Sequence, residues 1–240
     1  MSGHSKWATT KHQKAITDAK RSKVFSRYAK LIEVAARGGA DPGMNPSLRT
    51  AIDNAKAVSM PNDNIQRAVN KGSGADKGAA QLEEIIYEGY GPCKVAVIVK
   101  ALTDNKNRAA SDVRHIFSKA GGALGAMNSV SWMFQSKGTV VVNKENINLD
   151  DDLQLELIDA GADDFVLGDD SVIIYTAPDK LGAVKKFLTD KNIAVQSTDI
   201  EMIAKDKINI ENEEDQQRVE KFLDALDDND DVVTFYTNLA

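Results

Sequence analysis

A glycine- and alanine-rich stretch, Gly72 to Gln81 (GSGADKGAAQ), separates two parts of the 240-residue chain that differ in the period of their apolar residues. Before it, apolar side chains recur at spacings of three and four, the period of an amphipathic helix. After it, short runs rich in valine, isoleucine and tyrosine alternate with helical patterns, which is the mark of mixed helix and sheet. The stretch itself has no periodicity and reads as a flexible linker.

The first part predicts three helices. One begins near residue 14 and stops at Gly38-Gly39, with Val24, Phe25, Tyr28, Leu31, Ile32 and Ala35 on one face. Arg21 and Lys14 fall towards that apolar side, so either the packed face begins only near Val24 or the helix is interrupted. A second helix has Asn45 as cap and Pro46 at its first position, buries Leu48, Ala51, Ile52, Ala55 and Val58, and ends at Pro61. A third, capped by Asn62, buries Ile65, Ala68 and Val69 and stops at Gly72. Short helices are marginal alone in water, so these three are expected to pack as one small domain, residues 1–77.

The second part predicts strands at 85–87 and 94–102, a helix at 106–119, a Gly/Ala loop at 121–128 and a strand at 130–134. A strand at 139–142, helix 151–160, strands 164–167 and 171–176, helix 178–190 and a strand from Ile193 then follow in β-α-β-β-α-β order, a ferredoxin-like unit. A strand at 207–210, a helix at 213–227 capped by Asn212, and a strand at 232–236 complete a second such order with the earlier 94–134 elements. The expected fold class is therefore α+β: an N-terminal three-helix domain and two ferredoxin-like α/β domains, one inserted in the other. The boundaries are 82–134 plus 205–240 for the discontinuous domain and 135–204 for the inserted one. Two sequential, incomplete α/β domains would satisfy the same pattern.

Charge divides the chain as sharply as periodicity does. Residues 1–37 hold nine positive and two negative side chains, while the whole chain is −6. Through Lys77 the count is fourteen positive and six negative, so the remainder carries −14. A cationic end on an acidic body suits a polyanion, and nucleic acid is the expected one. Lys20, Lys23, Arg27 and Lys30 form a stripe roughly 120° around the first helix from its apolar face, placed for phosphates. His4 and Trp7 beside Lys6 could stack on an exposed base, with Lys11, Lys14 and Arg21 adding charge. Trp7 has an equally good reading as an anchor packed on the helices.

Other chemistries find little support. His4, His12 and His115 have no zinc-like spacing with Cys93, and no nucleophile elbow, phosphate loop or dinucleotide fingerprint occurs. Asp150-Asp151-Asp152 reads as a helix cap with its dipole match, and Asp227-Asp228-Asn229-Asp230-Asp231 as a solvated turn. The Gly-rich segment Ala120 to Gly125 reads as a mobile loop rather than a phosphate cradle. A binding protein is expected, not an enzyme, with no cofactor, no metal, no small-molecule substrate and no membrane span. A lone cysteine and the absence of a secretory signal point to the cytoplasm.

Several motifs carry a resemblance. Ser2-Gly3-His4-Ser5-Lys6-Trp7 with Lys11, Phe25-Ser26-Arg27-Tyr28-Ala29-Lys30-Leu31-Ile32, Asn45-Pro46 with Leu48-Arg49, and Met60-Pro61 with Asn64-Ile65 resemble the YebC/PmpR family. So do Ile86-Tyr87-Glu88-Gly89-Tyr90-Gly91-Pro92, the stretch from Arg108 to Phe117, and Gly121-Gly122. The match runs in order along essentially the whole chain. It implies a helical first domain with two α/β domains, one inserted, and a DNA-binding transcriptional regulator. It also implies a second role, because relatives act in translation: a mitochondrial one activates synthesis of cytochrome oxidase subunit I, and bacterial ones associate with ribosomes and relieve stalling at proline-rich stretches. The residues themselves lean towards RNA, since no helix-turn-helix with clustered base-reading side chains is visible. DNA, or ribosomal RNA and the ribosome, are thus the expected partners, with protein partners for the acidic domains.

Overall fold

The computed structural model describes residues 18–75 and 81–240, with side chains from Arg21 onward. Three helices open the described chain: α1 (Asp18–Ala36), α2 (Pro46–Ala57) and α3 (Asn62–Gly72). Asn45 does two jobs at the first junction. Its Oδ1 accepts from the Leu48 amide at 3.0 Å, capping α2, and its Nδ2 donates to Ala35 O at 2.8 Å and Gly39 O at 2.9 Å. Carbonyls left open where α1 ends are thereby satisfied by the cap of the next helix. Pro61, rather than Asn62, is the cap residue of α3.

Gly72 was expected only to end α3, yet it also sets how close α3 comes to α1. A Cβ built on it would lie 2.1 Å from the Glu33 carbonyl oxygen, and Lys71 Nζ is 2.8 Å from the buried Glu33 carboxylate. Gly72→Ala is expected to cost about 2 kcal/mol by forcing the helices apart. A denaturant midpoint equal to wild type would refute that.

Two four-stranded antiparallel sheets follow, each with two helices. The first contains β1 (Glu83–Tyr90), β2 (Ala96–Thr103), β3 (Ala123–Leu124) and β8 (Val232–Thr237) in the order β3-β1-β2-β8, with α4 (Lys106–Lys119) and α7 (Glu213–Asp228). Seven of the eight β2 residues are buried and Lys100 is half-buried, as a central strand requires. Phe117 of α4 meets Phe222 of α7 edge-on, ring centroids 4.9 Å apart.

The second sheet contains β4 (Phe134–Asn143), β5 (Ala162–Leu167), β6 (Ser171–Thr176) and β7 (Val195–Ala204), with α5 (Asp151–Asp159) and α6 (Leu181–Asp190), in the order β5-β6-β4-β7. This is the ferredoxin-like order, around a core that includes Val140, Val142, Leu157, Ile174, Val184 and Leu188. In sequence it lies inside the first sheet, between β3 and β8. Asp150 caps α5 by accepting from the Leu153 amide, and Asn212 caps α7 by accepting from Glu214 and Asp215, as expected.

The first sheet reaches its arrangement by another route than the one read from sequence. The position expected for a strand at 207–210 is occupied by β1, which pairs along its whole length with β2. Residues Ser131–Met133 form a 3-10 turn, and Ile208 makes only an isolated parallel bridge to Leu239. A strand one tight turn from its neighbour pairs at little entropic cost, whereas 207–210 is far along the chain from β2. Among described residues, contacts divide the chain into two compact units: 52–59 with 136–202, and 18–51, 60–75, 81–135 with 203–240.

Candidate nucleic-acid interface

The cationic stripe of α1 is present, but its charges face aspartates. Lys23 Nζ donates to Asp228 Oδ1 at 2.8 Å and to the Asp228 carbonyl at 2.6 Å. Arg27 Nη2 lies 2.9 Å from Asp227 Oδ1 and also bonds the Asp227 carbonyl. Lys30 Nζ reaches the Asp230 carbonyl at 2.7 Å, the Leu102 carbonyl at 3.0 Å and Asp231 Oδ1 at 3.2 Å. All three side chains thus point at the C-terminal end of α7 and the turn into β8. A helix C-terminus presents unbonded carbonyls and the negative end of the dipole, so lysine and arginine are suited to it.

This corrects one expectation and bears on another. The 227–231 turn is not a solvated loop: Asp231 is buried and takes Arg108 as well as Lys30, with Arg108 Nη2 3.0 Å from Asp231 Oδ2. And Lys23, Arg27 and Lys30 are engaged within the protein, so their substitution bears on stability as well as on any ligand. The sequence concealed this because the partners lie about 200 residues apart.

The remaining candidates fare differently. His4, Lys6, Trp7, Lys11, Lys14 and the Lys20 side chain lie outside the described residues. Arg21 is exposed and takes part in an interaction of its own. Other cations of the helical segment are bound internally: Arg37 donates to the Leu82 carbonyl, Arg49 to Pro42 and Gly43 carbonyls at 2.9 and 2.7 Å. Exposed Lys56 and Arg67, which the stripe pattern passed over, form no ion pair among the described residues.

A second site was missed altogether. Glu88, on β1, is buried, and its carboxylate accepts from the Asn128, Val130 and Ser131 amides, each at 2.9 Å, and from Ser131 Oγ at 3.1 Å. Burial alone pushes this carboxyl up, but the amides of Val130, Ser131 and Asn128 and the Ser131 hydroxyl outweigh it and hold the group below its ordinary range. The Gly/Ala loop is therefore pinned rather than mobile. Leu124 and Ala123 pair with Gly89 and Tyr90, and the Gly125 amide donates to the Glu88 carbonyl at 2.8 Å. Gly122 permits this closeness, since a Cβ there would sit 2.4 Å from the Tyr90 carbonyl. Strand alternation gave no clue, since Glu88 has the parity of the exposed Ile86 and Tyr90.

No group of three or more His, Cys, Asp or Glu among the described residues is arranged to hold a metal, and no described helix is long and apolar enough to cross a membrane. The fold and site define a class: an α+β protein whose helix α1 docks, through lysine and arginine, on the end of its last helix. Residues 5–75 match the family model for the TACO1/YebC protein N-terminal domain, and residues 82–239 match that for the TACO1/YebC second and third domain. The chain belongs to the TACO1/YebC family. It is 47% identical over 240 residues to a probable transcriptional regulatory protein of Thermoanaerobacter pseudethanolicus, covering 100% of this chain and 97% of that one. A protein of the same description from Bifidobacterium animalis subsp. lactis is 49% identical over 239 residues, 99% of this chain and 94% of its own. The crystal structure of the conserved hypothetical protein Aq1575 from Aquifex aeolicus superimposes with a TM-score of 0.89 at 43% identity, covering 98% of this chain and 96% of that one.

Proposed function

We propose that the protein is a nucleic-acid-binding regulator of gene expression that grips phosphates with its N-terminal arm. The contact residues are His4, Lys6, Trp7, Lys11 and Lys14, joined by Lys20 and Arg21 at the head of α1. One observation carries the reading: residues 1–17 hold three lysines and no acidic side chain, while the next cations along α1, Lys23, Arg27 and Lys30, are paired with aspartates. The first seventeen residues thus carry a net charge of +3 in a chain that is −6 overall. The relatives' description as probable transcriptional regulatory proteins supports duplex DNA as the first target.

Ribosomal RNA is the second reading, and it has its own support. With the α1 stripe turned towards the end of α7, that helix has no row of free cations to lay along a major groove. Phosphate contacts from an arm position a protein without reading sequence, and an aromatic beside lysine suits unstacked bases.

Replacing Lys6, Lys11 and Lys14 together with alanine is expected to weaken binding and to lower the slope of log affinity against log salt by about 3, with the melting temperature unchanged. An unaltered slope would remove the arm from the contact surface. Co-sedimentation with ribosomes from lysate, set against the shift of a promoter fragment under excess competitor DNA, separates the two targets. Ribosome binding without any DNA preference assigns the protein to translation.

A further inference from the structure

Strand alternation divides the first sheet into two unlike faces. Gly89 looks towards α4, where a Cβ would meet Phe117 at 3.0 Å, and Gly91 looks towards Phe222 of α7. Ile86, Glu88 and Tyr90 therefore share the opposite face, which carries no helix of this unit. Glu88 is covered by the 128–131 backbone, but the apolar groups around it are not covered. Trp132 is 65% exposed, Met127 86%, and Ile86 and Tyr90 are also exposed.

These side chains are held rather than loose. Trp132 Nε1 donates to the Ser129 carbonyl at 3.1 Å, which uses the only polar atom of the indole and leaves its ring to solvent. Tyr90 Oη lies 3.9 Å from Met133 Sδ. Lys205 Nζ donates to the Trp132 carbonyl at 2.8 Å, and its backbone amide to the Met133 carbonyl at 2.9 Å. A buried carboxylate with four hydrogen bonds thus stiffens a loop whose outer surface is aromatic and apolar, with an ammonium at its edge. A surface of this kind on a rigid loop is a recognition feature rather than a leftover of packing.

We infer that Trp132, with Lys205 bonded to its carbonyl, is a stacking platform for an unstacked base of single-stranded nucleic acid. Charge selects this occupant. Residues 81–134 with 203–212 hold eight positive and seven negative side chains, against six and fourteen for residues 135–202, and the acids of α7 belong to the other face of the sheet. Lys205 is exposed and forms no ion pair with a carboxylate among the described residues, so its remaining N–H groups can meet a phosphate while the ring meets the base. Any base has a flat face to offer, so the platform grips without reading sequence. The inference rests on the nucleic-acid reading above and adds to it a second contact, on the sheet rather than the arm, that requires an unpaired strand.

The chain has two tryptophans, so the emission lost between the wild type and Trp132→Phe is that of Trp132. Titration with a twelve-nucleotide oligo(U) should quench that emission at saturation, and a blunt duplex of equal length should not. Trp132→Ala should weaken oligo(U) binding about tenfold, followed by anisotropy of the labelled strand, and Trp132→Phe should retain most of it. Because the ring is exposed, both variants should melt with wild type. Oligo(U) that binds with no change in Trp132 emission, and equally well to Trp132→Ala, overturns the platform and leaves the arm intact. A labelled strand that binds neither the wild type nor the variants overturns the nucleic-acid reading as well. Loss of a protein partner on Trp132→Ala, with oligo(U) affinity unchanged, also overturns the platform.

Discussion

Glu88→Gln is expected to lower stability by about 3 kcal/mol, because an amide NH2 then faces backbone donors that had a carboxylate to bond. For a chain of this length the melting temperature should fall by roughly 10 °C. Two of the three amides are held by Glu88 Oε2 and one by Oε1, so whichever way the glutamine turns, at least one backbone N–H loses its acceptor. The acid limb supplies an independent check. The folded carboxyl is held below the value of 4.5 that it would have when free. Its contribution is therefore complete above that value and is lost as pH falls through the lower, folded one. The wild type's advantage over Glu88→Gln should accordingly be constant near neutrality and shrink in acid. An advantage that stays flat down to pH 3 would mean that the charge on Glu88 is not what pins the 128–131 backbone.

The second large effect concerns Asp231. Asp231→Asn keeps the shape but removes the negative charge beside Lys30 and Arg108, and a loss of about 2 kcal/mol is expected from a buried acceptor of charged donors. The triple change Lys23→Ala, Arg27→Ala, Lys30→Ala should lower the melting temperature too, because it strips the donors from the C-terminal carbonyls of α7. Of the three pairs, Lys30 with Asp231 is the most buried, while Asp228 is widely exposed. High salt should therefore erase the Lys23 contribution first and leave that of Lys30. A double-mutant cycle between Lys30→Met and Asp231→Asn measures the coupling directly, and zero coupling would show that the two groups do not support each other.

The effects at Glu88 and Asp231 are also where prediction from sequence and observed structure part company. Local features were legible: the Asn45 and Asn212 caps, the acidic opening of α5, the burial of Ile65, Ala68 and Val69 on α3, and the β-α-β-β-α-β order of the inserted sheet all follow from spacing and cap chemistry. What could not be read from sequence depends on partners distant along the chain. The stripe on α1 is legible as a cationic face, but nothing within it announces the aspartates at 227–231. Glu88 lies just past the strand expected at 85–87, and its partners are the amides of a loop about forty residues away.

By itself the sequence determined the helices and the strands of the inserted sheet, where the charge lies, and to which family the chain belongs, because apolar period, capping groups and motif residues are properties of near neighbours. Only the tertiary structure decided that β1 takes the place of a later strand, that three cations of α1 close the end of α7, and that a glycine-rich loop is bonded to β1. Each of these outcomes turns on which polar groups find one another across the fold. An unpaired carbonyl, amide or carboxylate costs the same wherever its partner lies in sequence, so the chain's linear order carries no trace of that choice.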